Sequence, residues 1–251
     1  MTLTYTWYGH GTSGLNVDGI NVVVDPYFTD NPAATAKAEE VEADYILVTH
    51  GHSDHVADAV PIAKRTGATI ISNFEIASWF QNQGVEAHGQ HIGGGHDFPI
   101  GYVKLTLALH GSALPDGSDG GNPCGILITT PGGQKVYLAG DTGIFGDMAL
   151  IGEEGLDLAV IPIGDNYTMG PDDALRAVKL LKAKNVIPGH YNTWELIEQD
   201  ADAWAERVRS ETDTKPHVLQ PGDTFTLYFQ TLQIIWLPEP GSDFHTLNLL
   251  E

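Results

Sequence analysis

Six consecutive positions, His50-Gly51-His52-Ser53-Asp54-His55, carry three imidazoles and one carboxylate. They follow at once on the apolar run Tyr45-Ile46-Leu47-Val48, which reads as a buried strand. Side chains converge in this way where a strand ends and the following turn opens a helix. Neutral imidazole suits zinc, iron, copper and nickel, and a carboxylate also accepts harder ions. His50 and His52 can close on one ion, while Asp54 and His55 can point to a neighbouring position, so the pattern suggests two ions. A histidine-rich surface turn is the plain alternative.

What ends the other apolar runs argues against that alternative. Lys104-Leu105-Thr106-Leu107-Ala108-Leu109 leads into His110, Lys135-Val136-Tyr137-Leu138-Ala139-Gly140 into Asp141, and Asn185-Val186-Ile187-Pro188-Gly189 into His190. Each is a strand-like run followed by a metal-competent side chain. Where helices cover a sheet, ligands gather in the crevice beyond the strand ends, so residues distant in sequence can meet there.

These residues carry a resemblance. His50 to His55 matches the HxHxDH signature of the metallo-β-lactamase superfamily, and His110, Asp141 and His190 follow in that superfamily's order. The resemblance covers roughly residues 1–225 and implies an α/β fold, an αββα sandwich with a two-metal centre at the edge of its paired sheets. It implies that His50, His52 and His110 hold one metal ion, that Asp54, His55 and His190 hold the second, and that Asp141 bridges them. Gly9-His10-Gly11-Thr12, the phrase from Gly140 to Met148, the phrase from Pro162 to Pro171, and His190-Tyr191-Asn192-Thr193 are similar to one branch: uncharacterised metal-dependent hydrolases near the ascorbate phosphate lactonases. Zinc is the favoured metal for an imidazole-rich set, with manganese, iron or nickel admissible. In the di-iron redox members of the superfamily a carboxylate typically stands where this chain has His52, so the resemblance implies hydrolysis, not redox chemistry.

Around this centre, His10 and Tyr191 are candidate donors to a developing oxyanion or leaving group, and Asp54 could orient the nucleophile. Asp165, Asn166 and Asn192 are candidate substrate-binding residues. Asp25, which ends the run Val22-Val23-Val24, is a candidate support for a ligating imidazole. For each, a structural hydrogen bond is the competing explanation. His88, His91, His96, His217 and His245 lie outside the matched phrases and receive no role.

The elements that must position these groups are legible in outline. Leu3 to Asp25 is strand-rich, a helix is expected over about Asp54 to Arg65, another near Glu75 to Gln83, and a third from about Asp172 to Ala183. Residues 1–227 are expected to form one hydrolase domain of two layers, followed by a tail over 228–251 that could be an added strand, a dimer contact or a stretch foreign to the family. The loop 111–123, rich in Gly, Pro, Ser and Asp, either shapes the mouth of a pocket or simply connects two strands.

Composition narrows the partners. The chain has 251 residues, enough for one sizeable core, and 33 acidic against 12 basic side chains give a net charge of −21. Such a surface repels phosphate backbones, so no nucleic-acid partner is expected. A small-molecule substrate is expected instead, with no membrane contact and an oligomer possible. Cys124 is the single cysteine, so no internal disulfide forms, and it reads as a small packing residue. Met1 to Trp7 lacks a basic and apolar leader, and the cytoplasm is the expected compartment. The leading expectation is a metal-dependent hydrolase of a small ester, lactone or phosphodiester. The alternatives are a nuclease-like phosphodiesterase and a non-catalytic metal-binding protein.

Overall fold

Apolar and polar residues alternate along Thr2–Gly9, which buries Leu3, Tyr5 and Trp7 on one face and forms the first strand, β1. In the computed structural model, which describes residues 2–228, β2 (Thr12–Val17) and β3 (Ile20–Val24) follow as antiparallel neighbours. The turn joining them, Asp18-Gly19, has φ of 49° and 93°, the left-handed pair that suits a two-residue hairpin. Parallel strands β4 (Tyr45–Leu47), β5 (Thr69–Asn73) and β6 (Ala87–Gln90) extend this sheet.

The second sheet repeats the plan. Antiparallel β7 (Gly95–Phe98), β8 (Gly101–Leu107), β9 (Cys124–Thr129) and β10 (Lys135–Leu138) are followed by parallel β11 (Leu158–Pro162), β12 (Asn185–Gly189) and the short β13 (Lys215–Pro216). Strand β14 (Thr224–Tyr228) returns to the first sheet and pairs with β1. Among the described residues each sheet has seven strands, with an antiparallel half and a parallel half. Pro188 fits inside β12 because β13 pairs only with Asn185 and Val186, which leaves the proline beside one neighbour.

The two faces of the first sheet separate cleanly. Val22, Val24, Leu47 and Ile71 face the second sheet in the main core, while the intervening Val23, Ile46 and Ile70 form a second core with Ile62, Ile76 and Phe80. Those last three belong to helices α2 (Ala59–Thr66) and α3 (Phe74–Asn82), which follow the single turn α1 (Ser53–Val56). Beyond the second sheet lie α4 (Met148–Gly152), α5 (Pro171–Leu181) and α6 (Ala201–Glu211). The result is the αββα sandwich expected from the sequence.

Three expectations need adjustment. The helix expected over Asp54 to Arg65 is broken at Ala57-Asp58, because Pro61 lacks an N–H and its ring would clash with the carbonyl of Ala57 in an unbroken helix. Restarting at Ala59 places the proline in a first turn, where no donor is needed. Helix α6 adds to the three expected helices: Trp204, Ala205 and Val208 have helical spacing, and Asp200 caps it by accepting from the Ala203 N–H at 2.9 Å. The loop 111–123 lines no part of the main cleft; it buttresses the ligand turn, with Ser112 Oγ accepting from the Gly51 N–H at 3.1 Å. The suggested tail, apart from Tyr228, lies outside the described residues. Among those residues no helix is long and apolar enough to cross a membrane.

Leu47 is fully buried between the layers, whereas Leu150 is 61 % exposed. Leu47→Ala should cost about 2–5 kcal/mol in denaturant unfolding, and Leu150→Ala less than about 0.5 kcal/mol. Equal losses would show that the inter-sheet core does not carry the stability.

Candidate metal centre

Strand ends at one edge of the sandwich deliver the chemistry. β1 runs into His10, β3 into Asp25, β10 through Ala139 and Gly140 into Asp141, and β12 into His190. β4 continues through Val48 and Thr49 to His50, and β8 is followed by Ala108, Leu109 and His110. His10, Asp25 and His190 all have left-handed backbones, with φ of 56°, 46° and 53°. That conformation costs about 1–3 kcal/mol at a non-glycine residue and is typical of places where side chains must be aimed. Gly140, with φ of 61°, lets the β10 turn pass Thr49; a Cβ there would lie 2.9 Å from the threonine side chain. Gly11 is required for another reason, since a Cβ on it would lie 2.6 Å from the His55 ring.

Three sets of donor atoms lie mutually within 4.8 Å: His10, Asp54, His55 and His190; His50, His52 and His110; and Asp25, His50 and His55. Hydrogen bonds decide which of these groups can face an ion. Asp25 Oδ1 accepts from the Thr49 N–H at 2.8 Å, and its Oδ2 accepts from Thr49 Oγ1 at 2.7 Å and His55 Nδ1 at 3.0 Å. Asp25 therefore stands behind the ligands. Because Thr49 gives its hydroxyl proton to Asp25, it can only accept from His50 Nδ1, 3.0 Å away. Both imidazoles then carry their free lone pair on Nε2, the atom turned toward the centre.

His10 is different. Its Nε2 donates to Asp54 Oδ2 at 3.0 Å, and its Nδ1 faces Thr193 Oγ1 at 2.9 Å. Both nitrogens are engaged and the ring is fully buried, so His10 holds Asp54 and has no lone pair to offer an ion.

Asp141 joins the remaining sets. Its Oδ2 lies 3.0 Å from His190 Nε2, 3.5 Å from His55 Nε2 and 3.6 Å from His110 Nε2. His50 Nε2 and His52 Nδ1 face one another at 3.0 Å. The Nε2 of His55 and both ring nitrogens of His190 are buried without a hydrogen-bond partner, even though the His190–Asp141 distance is short, because the atoms are not aligned for a hydrogen bond. Buried imidazole nitrogens are rarely left so, and a cation between these atoms would satisfy them. Of the seven expected ligands, His50, His52, Asp54, His55, His110 and His190 fall within these donor sets, and Asp141, which belongs to none of them, lies within 3.6 Å of three of the imidazoles.

The charges of the cluster are mutually tuned. Burial alone would raise the Asp141 carboxyl, but His190 and His55 outweigh it and hold it well below the usual range. Burial likewise works against a charged His55, yet Asp141 and Asp25 prevail and hold its pKa well above the histidine norm. His50 is pushed down by burial and by His55, and His10 is pushed down to about 4 by burial and by His190. For Asp54, burial is opposed by the His10 hydrogen bond and the charges of His55 and His10, which leave the carboxyl below its normal range.

A cleft of about 790 Å³ opens above the cluster, in the size range of small-molecule sites. His52, Asp54, His110, Asp141 and His190 form part of its floor. The other anticipated residues lie elsewhere. Tyr191 is buried and stacks on Trp7 with centroids 5.1 Å apart; burial, with the Asp202 charge, pushes its hydroxyl up to about 12. Asp165 and Asn166 are exposed turn residues with φ of 64° and 50°, Asp165 Oδ1 accepting from the Asn166 N–H at 2.9 Å. Asn192 faces a separate surface hollow, and its side chain accepts from the Gln199 N–H at 2.7 Å. None of these four lines the cleft. Tyr27, Tyr167 and Trp194, which the sequence did not single out, do line it. The available signal was adjacency: Tyr27 follows the Asp25 strand end, Tyr167 lies inside a matched phrase, and Trp194 directly follows another.

Known proteins resemble this chain in sequence and fold. The model of the beta-lactamase superfamily domain matches residues 20–191, and the chain belongs to that superfamily. A UPF0173 metal-dependent hydrolase of Heliobacterium modesticaldum is 53% identical over 233 residues, covering 90% of this chain and 98% of that protein. Another, from Thermus thermophilus, is 45% identical over 221 residues, covering 88% of this chain and 97% of its own. Among solved structures, Igni18, a metallo hydrolase from Ignicoccus hospitalis, superposes with a TM-score of 0.85 at 37% identity, covering 92% of this chain and all of that one. With relatives of this identity and coverage, the protein is a metal-dependent hydrolase.

The Asp25–His55 hydrogen bond should tune the affinity for metal. Asp25→Asn keeps the shape, yet its amide cannot accept from both Thr49 and His55 as the carboxylate does, and a chelator titration should find metal affinity reduced about 10–100-fold. Unchanged affinity would remove Asp25 from the supporting role.

Proposed function

We propose that the enzyme is a binuclear hydrolase acting on a small ester, lactone or phosphodiester. The observation that carries this reading is the single Asp141 oxygen within 3.6 Å of imidazole nitrogens from both ligand sets. His50, His52 and His110 would hold one ion, Asp54, His55 and His190 the other, and Asp141 both. Imidazole predominates, which favours zinc and admits manganese, iron or nickel. Bound divalent ions would supply an activated water and a Lewis acid for the substrate oxygen.

The chain's own groups would do the positioning. Asp54 has 28 % of its side chain exposed, at the cleft floor, and is ionised in the range where the enzyme would work. Its carboxylate can accept a hydrogen bond from the attacking water and orient it. His10 fixes that carboxylate from behind, and Thr193 fixes His10, so Thr193–His10–Asp54 is a relay of position. Tyr191 supports His10 indirectly, since Trp7, on which it stacks, donates its indole N–H to the His10 carbonyl at 2.9 Å. Asp165, Asn166 and Asn192 act in this reading as turn residues, outside substrate contact.

A purely structural metal site is usually closed by protein ligands. Here Asp54 and His110 lie on an open cleft, which favours catalysis over a storage or stabilising role. Among the described residues no Lys or Arg lines that cleft, which speaks against a nuclease.

Elemental analysis of fully loaded protein should find two divalent ions per chain; a ceiling of one would overturn the binuclear reading. Asp141→Ala should lower kcat by about a hundredfold or more with loss of bound metal. Asn166→Ala should stay within about twofold of the parent. Comparable losses, with metal retained in both variants, would contradict the assignment.

A further inference from the structure

Three aromatic rings, Tyr27, Tyr167 and Trp194, wall the cleft, and among the described residues no Lys or Arg lines it. Two of them are held in place. Tyr27 donates its hydroxyl to the Asp30 carbonyl at 2.8 Å and packs edge-on against His10 at 5.8 Å, and Trp194 packs edge-on against the same ring at 4.7 Å. Tyr167 stands 51 % exposed at the mouth. Leu109, next to His110, and Leu196, two residues beyond Trp194, are also largely exposed. Of the seven large apolar side chains exposed among the described residues, Tyr167 lines this cleft. Scattered exposed leucines mean little, whereas aromatic walls above a polar floor are the usual form of a ligand site.

The cleft's remaining charge is negative. Asp58 shapes the wall: its Oδ2 accepts from the N–H groups of Phe28 and Thr29 at 2.6 and 2.8 Å, and its Oδ1 from Thr29 Oγ1 at 2.7 Å. Asp30 is exposed at the rim, on a left-handed residue with φ of 63°. An anionic substrate group lying outside the metal cluster would meet these carboxylates with no Lys or Arg to offset them.

We propose that the substrate is an uncharged ester or lactone whose apolar or aromatic group lies against Tyr27, Tyr167 and Trp194, and that phosphodiesters and carboxylate-bearing esters are disfavoured. This rests on the hydrolase reading of the same site. In the reaction, the oxygen of water bonds to the acyl carbon and the bond from that carbon to the ester oxygen breaks. The leaving oxygen takes one proton, and the acid formed releases another to solvent. The product is thus an anion in an acidic cleft, and the charge that excludes anionic substrates also speeds its departure.

Three chromogenic substrates sharing a leaving group test the idea on metal-loaded enzyme: para-nitrophenyl butyrate, the para-nitrophenyl monoester of succinic acid, and bis(para-nitrophenyl) phosphate. The butyrate should have the highest kcat/KM, by about tenfold or more over each of the others. Tyr167→Ala should raise KM for the butyrate about five- to tenfold with kcat nearly kept, the signature of lost substrate contact. Asp30→Asn, a residue type that tolerates the left-handed backbone, should narrow the butyrate-to-succinate ratio about threefold. A preference for the phosphodiester or the succinate would overturn the substrate assignment while leaving the hydrolase intact. No metal-dependent turnover of any of the three would instead count against the hydrolase reading, and the substrate assignment would fall with it.

Discussion

A carboxylate that is 4 % exposed and surrounded by imidazoles is the constraint on which the molecule turns. Burying Asp141 without compensating positive charge would cost several kcal/mol. Asp141 and Asp25 in turn favour the charged form of His55 against its burial. Burial drives His50 and His10 the other way. Hydrogen bonds from the Nδ1 atoms of His55 to Asp25 and of His50 to Thr49 fix which ring nitrogen of each faces inward.

The sandwich makes such a cluster sustainable. Six strand ends from two sheets meet at one edge, so each polar group is carried by a backbone whose preceding residues are locked in the core. Val24, Leu47 and Leu138, one to three residues ahead of Asp25, His50 and Asp141, all belong to the main core. The strained backbones of His10, Asp25 and His190 persist because this framework determines them on both sides. The loops that follow β3, β11 and β12 carry Tyr27, Tyr167 and Trp194, which line the cleft above the cluster.

Much of the metal centre is legible in the amino-acid sequence alone, because ligands must be particular residue types at strand ends and both features survive in one dimension. His50 to His55 mark the turn, and the runs ending near His110, Asp141 and His190 mark the other strands. The position of Asp25 behind the cluster is legible for the same reason. Side-chain direction is not. Nothing in His190-Tyr191-Asn192-Thr193 says that the left-handed backbone at His190 and Asn192 turns Tyr191 into the core and Asn192 out to a surface hollow. Nor does the sequence say that His10 commits both nitrogens to Asp54 and Thr193, a partner 183 residues away. Helix α6 is faint in the sequence because its apolar face is narrow, carried by Trp204, Ala205 and Val208 among charged neighbours. The break before α2 is written more plainly, since Pro61 stands where an unbroken helix would need a donor.

The shared carboxylate is the central claim, and a crystal structure of the metal-loaded enzyme, with anomalous differences measured at the absorption edge of the bound metal, tests it most directly. Two peaks should appear, one among His50, His52 and His110 and one among Asp54, His55 and His190, about 3.5–4 Å apart with Asp141 reaching both. A single peak, or two peaks of which only one touches Asp141, would contradict the account.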